Sequence, residues 1–116
     1  MFSWLRKRPA AVETITFNSQ SVSRRRTSGE TESVRWQDLQ EVSIITTDQG
    51  PFVDDLFWVL IGREGGCLAP SQANGTPELV ERLQQLPGFD NEAVLQAMQS
   101  TQNDKFLVWK QTAAFP

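Results

Sequence analysis

The chain contains no histidine, no tyrosine and a single cysteine, Cys67. Histidine is the usual general base near neutral pH and the commonest zinc ligand. Its absence excludes Ser-His-Asp and Cys-His nucleophilic arrangements and every zinc site that needs an imidazole. One thiol forms no intrachain disulfide and excludes a four-cysteine zinc site. No apolar run is long enough to cross a membrane. Phe2, Trp4 and Leu5 precede the cations Arg6, Lys7 and Arg8, which is the reverse of the order in a secretory signal. These features lead to the expectation of a cytoplasmic chain with no metal and no cofactor. Enzymes that run on carboxylates alone need no histidine and are not excluded by its absence.

What is present is enough for one core. A length of 116 residues with 39% hydrophobic content fits one domain without metal or disulfide staples. Residues 1–10 read as a flexible tail ended by Pro9, and residues 11–116 as a single α+β domain. Charge is uneven. Residues 1–26 hold six cations against Glu13, a net of +5, whereas the remainder carries −8. A basic end on an acidic body suits one local anionic contact, not the broad basic stripe of a nucleic-acid-binding domain.

Hydrophobic alternation predicts strands over Val12 to Phe17, Gln20 to Arg26 and Thr31 to Trp36, separated by Asn18-Ser19 and Ser28-Gly29 turns. Gln37-Asp38-Leu39 reads as a short turn or one 3₁₀ turn. Strands then follow from Glu41 and over Leu56 to Ile61. The second is apolar at every position, which predicts cover on both of its faces. Arg63-Glu64-Gly65-Gly66 predicts a tight turn with glycines free to take positive φ. Cys67 to Ala69 makes a sixth strand. Thr76 then reads as an N-cap with Pro77 at the first helical position, and Leu79, Val80, Leu83 and Leu86 as the apolar face. Asp90 caps a second helix with inner residues Val94, Leu95 and Met98. Lys105 to Lys110 closes as a seventh strand, with Phe106 and Val108 on one face and Leu107 and Trp109 on the other. The fold class expected is therefore α+β: a bent antiparallel sheet or partial barrel of six or seven strands with two C-terminal helices.

Candidate sites are few. Asp48, Phe52, Asp54 and Asp55 ring the Gly50-Pro51 loop. Their spacing does not match a calcium loop, and adjacent extended residues point to opposite faces. They read as a partner-binding loop or as charged guards beside an aggregation-prone strand. Arg6, Lys7, Arg8, Arg24 and Arg26 are candidate anion contacts. The alternative for Arg24 and its neighbours is an edge strand protected by charge. The glycines at 62, 65 and 66 lack the Gly-Lys-Ser/Thr of a phosphate loop. Cys67 reads as a buried inert thiol, and Trp36, Trp58 and Trp109 as packing residues.

Two segments, Ser33-Val34-Arg35-Trp36-Gln37-Asp38-Leu39-Gln40-Glu41-Val42 and Leu86-Pro87-Gly88-Phe89-Asp90-Asn91-Glu92, resemble a family of small uncharacterised bacterial proteins. The first is also similar to strands of bacterial pleckstrin-homology-like domains. That resemblance implies an interaction fold, which hosts lipid, peptide and protein binding, and carries no functional residue with it. The leading expectation is a non-catalytic module that binds an unknown protein partner. The alternative is weak peripheral contact with anionic membrane or phosphate groups through the basic residues. A third is a carboxylate enzyme, which would need Asp38, Glu41, Asp48, Asp54 and Asp55 to converge. Oligomeric state is open.

Overall fold

The computed structural model describes residues 13–48 and 56–112. Seven strands lie in two antiparallel sheets. Strands β1 (Thr14–Phe17), β2 (Ser21–Arg25) and β3 (Thr31–Arg35) form a three-stranded meander in chain order. A 3₁₀ turn, Trp36–Asp38, leads into β4 (Leu39–Thr46). With β5 (Leu56–Gly62), β6 (Gly66–Pro70) and β7 (Asp104–Lys110) it builds a four-stranded sheet in the order β6-β5-β4-β7. Helices α1 (Thr76–Leu83) and α2 (Asn91–Gln99) come between β6 and β7. The architecture is α+β with the helices in the second half, and the sheets do not close into a barrel.

The core lies between the sheets and under the helices. Ile15, Val22 and Val34 from the small sheet meet Val42, Ile44, Trp58, Leu60, Cys67 and Ala69 from the large one. Leu79 and Leu83 of α1 and Ala93, Val94 and Ala97 of α2 complete it. Burying such side chains contributes about 1.5–3 kcal/mol each for the larger ones. Trp58 stacks on Phe89 with ring centroids 6.4 Å apart. Trp109 is buried, and its indole N–H donates to the Pro87 carbonyl at 2.8 Å. Trp36 is half-buried between the Phe17 ring edge and the Arg82 guanidinium, which stands 4.6 Å from the indole centroid.

Several details depart from the sequence reading. Gly75, not Thr76, is the N-cap of α1, at φ 93°. Thr76 is buried inside the first turn, and its hydroxyl donates to the Pro70 carbonyl at 2.8 Å. The tertiary bond outcompetes the capping role. In α2 the buried residues are Ala93, Val94 and Ala97, while Leu95 and Met98 face outwards. Small side chains let the helix approach β7 and β4 closely, which bulkier ones would prevent. Asp90 caps α2 as expected, accepting from the Ala93 N–H at 3.1 Å. A bulge in β7 opposite Val42 and Ser43 puts both Val108 and Trp109 in the core, breaking the simple alternation. Among the described glycines, positive φ occurs at Gly29, Gly75 and Gly88, so the turn after β5 does not use it.

Candidate binding surface

The two sheets turn very different outer faces away from the core. Pairing registers define them. On the small sheet, Thr16, Ser23 and Ser33 stand in one row, and Thr14, Arg25 and Thr31 in the next. Ser23 and Ser33 hydroxyls hydrogen-bond at 2.8 Å. This is an ordinary solvent face, rich in hydroxyls.

The large sheet differs. Its outer rows are Pro70, Phe57, Ile45 and Lys105; then Leu68, Val59, Ser43 and Leu107; then Gly66, Ile61, Glu41 and Lys110. Ile45 is 36% exposed, Ile61 38% and Leu107 49%, and Phe57, Val59 and Leu68 are half-buried. None of these six belongs to the core cluster or packs against it. Among the described residues, the core covers β5 on the side of Trp58 and Leu60, and on the other side Phe57 and Val59 are half-buried and Ile61 exposed, short of the full cover expected on both faces. The largest contiguous apolar patch on a monomeric protein is commonly about 300–600 Å² and is often functional.

Charge sits along one margin of this face. The Lys105 ammonium lies 3.4 Å from the Glu41 carboxylate. The Ser43 hydroxyl donates to the same carboxylate at 2.8 Å. That hydrogen bond, followed by the attraction of Lys105 and Lys110, holds the Glu41 carboxyl below its ordinary value against an opposing effect of burial.

The candidate anion contacts are not brought together. Arg24 lies in the central strand of the small sheet and points into the protein, 6% exposed. Its guanidinium donates to Glu13 at 2.7, 2.8 and 3.0 Å and to Glu32 at 3.4 Å. Burial alone would lower its pKa, but the hydrogen bonds and charge of Glu13, with Glu32 behind them, raise it. Arg24 is thus an internal clamp, neither a free anion contact nor a guard on an edge strand. Glu32 also accepts the Leu68 backbone N–H at 3.1 Å, linking the outer strand of one sheet to that of the other. Arg26 is exposed and stands 3.8 Å from Glu30. Arg6, Lys7 and Arg8 lie outside the described residues, as do Phe52, Asp54 and Asp55 of the candidate loop and the tail of residues 1–10. Asp48 is exposed, just beyond the end of β4.

Acid–base chemistry gains no support from the described carboxylates. Asp38 precedes β4 and Asp48 follows it, which separates them by roughly 25–30 Å of extended chain. Among the described residues no group of three or more His, Cys, Asp or Glu side chains could hold a metal ion. Cys67 is buried, and burial, reinforced by the nearby Glu32 charge, pushes its thiol up to about 12. Two open clefts flank Arg35. One of about 290 Å³ is lined by Arg35 and Arg63 with Asp38 and Glu64, so its charges balance. The other, about 300 Å³, is lined by Ser19, Gln20, Arg35, Trp36 and Gln37. No described helix is long and apolar enough to cross a membrane.

The apolar face was partly legible. Alternate positions of Leu56 to Ile61 supply three of its six apolar residues. Alternation already set Leu107 opposite Phe106, whereas the inward turn of Trp109 required knowledge of the β7 bulge, and Ile45 and Leu68 required the strand order. No family model, no curated protein and no solved structure matches this chain.

Proposed function

We propose that the chain is a non-catalytic protein-binding module whose contact surface is the outer face of the large sheet, with Asp48 at its margin. One observation carries the reading: the same small fold has a hydroxyl-rich outer face on one sheet and an apolar outer face on the other. The first serves as an internal standard for what this chain presents to water. The anionic-surface alternative has less support, because Arg24 is already bound by Glu13 and Glu32.

The reading is tested by affinity capture from the native cell with the wild-type chain and two variants. Leu107→Asp places a charge in the apolar face at an exposed site, and Thr16→Asp does the same on the polar face. A partner held by wild type and Thr16→Asp but lost by Leu107→Asp is the expected result. A partner set unchanged in Leu107→Asp would move the contact elsewhere.

A further inference from the structure

The rim of the apolar face narrows the chemistry of what binds there. Along β7 the residues on the outer face are Lys105, Leu107 and Lys110, opposite Ile45, Ser43 and Glu41 of β4. Without the bulge, Lys110 would point to the opposite side from Leu107, because they are an odd number of residues apart. The extra residue sends Trp109 into the core and re-aims Lys110 onto the outer face. Bulges are a recurrent means of redirecting one side chain. Leu107 thereby lies between two lysines of the same face, with α-carbons about 7 Å from its own along the strand, and the Lys105 ammonium reaches past it to Glu41 in the Lys110 row. Among the described residues a single carboxylate, Glu41, answers both, and Lys105 remains 60% exposed beside it. In the paired rows of β4 and β7 on this face, Lys105 and Lys110 outnumber Glu41, on a chain of net charge −3.

Size points the same way. Four strands by three rows cover roughly 20 Å by 20 Å, about 400 Å². Stable contacts between folded proteins bury about 800 Å² on each partner. The face is therefore scaled for a short segment instead of a second copy of this chain.

We infer that the ligand of this face is an extended acidic peptide segment, with an apolar residue opposite Leu107 and a carboxylate two residues to either side. Extended chain places residues i−2, i and i+2 on one side at the spacing of Lys105, Leu107 and Lys110. The inference rests on the protein-binding reading and specifies its partner.

A random peptide library displayed on phage, selected on the full chain, with each selected peptide then compared on Leu107→Asp, tests both separately. Synthetic copies of the selected peptides are then titrated by fluorescence anisotropy. The expected peptides carry Asp or Glu two residues before and after an aromatic or aliphatic residue. Their affinity falls about tenfold in Lys110→Gln, further in Lys105→Gln/Lys110→Gln, and also with added salt. Face-dependent peptides that lack carboxylates, or that ignore both lysine changes, overturn the inference and leave the binding face standing. Peptides bound equally by Leu107→Asp overturn the face itself. A third arm uses phosphatidylserine vesicles. Vesicle binding that is lost with the two lysines, in a chain that selects no acidic peptide, overturns the inference in favour of a lipid surface.

Discussion

Replacing Arg24 by alanine removes the one cation from a cluster that two carboxylates and two sheets share. The guanidinium side chain is 7% exposed, Glu13 21% and Glu32 30%. Arg24 makes three contacts with Glu13 of 3.0 Å or less, two of them from one amino group. Breaking a buried pair by removing one partner costs about 3–5 kcal/mol. Glu13 and Glu32 keep some access to water, so the lower end, about 3 kcal/mol, is expected for Arg24→Ala. With a urea slope of about 1–3 kcal/mol/M for a small domain, that lowers the midpoint by at least ~1 M. The assay is urea unfolding followed by tryptophan fluorescence. Arg26→Ala is the control, since its guanidinium is 45% exposed and 3.8 Å from Glu30. An exposed pair of that kind contributes about 0–1 kcal/mol. Glu32→Gln is a second probe, because it discards the charge and keeps an oxygen able to accept from the Leu68 N–H. Its cost should fall between the two arginine changes. An Arg24→Ala loss no larger than that of Arg26→Ala would refute the clamp and return Arg24 to the solvent face.

Two further outcomes concern the backbone and pH. Gly75 has φ 93°, and a Cβ added there runs into the Ile15 carbonyl oxygen, whereas Gly29 has φ 95° with open space around it. Gly29→Ala should therefore cost the left-handed penalty alone, about 1–2 kcal/mol, and Gly75→Ala clearly more, read as the difference in thermal midpoint. Glu41 has a folded pKa below its ordinary value of 4.5. Its stabilisation is therefore full above that value and is lost as pH falls through the lowered folded pKa. Urea midpoints measured between pH 6 and pH 2 should fall less steeply in Glu41→Gln than in wild type, and parallel curves would show that Glu41 contributes nothing.

Element order was legible because the signals are local. Alternation, turn dipeptides and the Thr76-Pro77-Glu78 and Asp90 starts each report on a few neighbouring residues. Faces were harder. The inner side of α2 was read from bulk, as Val94, Leu95 and Met98, but close approach selects Ala93 and Ala97, and hydrophobicity alone does not reward small residues. The role of Arg24 depends on Glu13 and Glu32, which meet it only once β1, β2 and β3 are in register. Cover on both sides of Leu56 to Ile61 was a reasonable demand of an apolar strand. Among the described residues the core meets that demand fully on one side only, and this difference between the two sides is what the contact-face proposal rests on. Candidates at Phe52, Asp54, Asp55, Arg6, Lys7 and Arg8 have no structural counterpart among the described residues.

The position of β7 bears on how the chain reaches its native state. β4 lies in the interior of the large sheet, yet one of its two neighbours is the last strand of the fold, about sixty residues downstream. Until β7 arrives, β4 carries an open hydrogen-bonding edge, Thr46 lacks the Gln102 carbonyl that receives its hydroxyl, and Val42 and Ile44 lack the strand beside them. Distant pairings of this kind slow folding, because loop closure must precede the contacts that reward it. During synthesis the first six strands and both helices emerge with a vacant slot beside β4. A strand from a second nascent chain, or a chaperone, has that interval in which to occupy it.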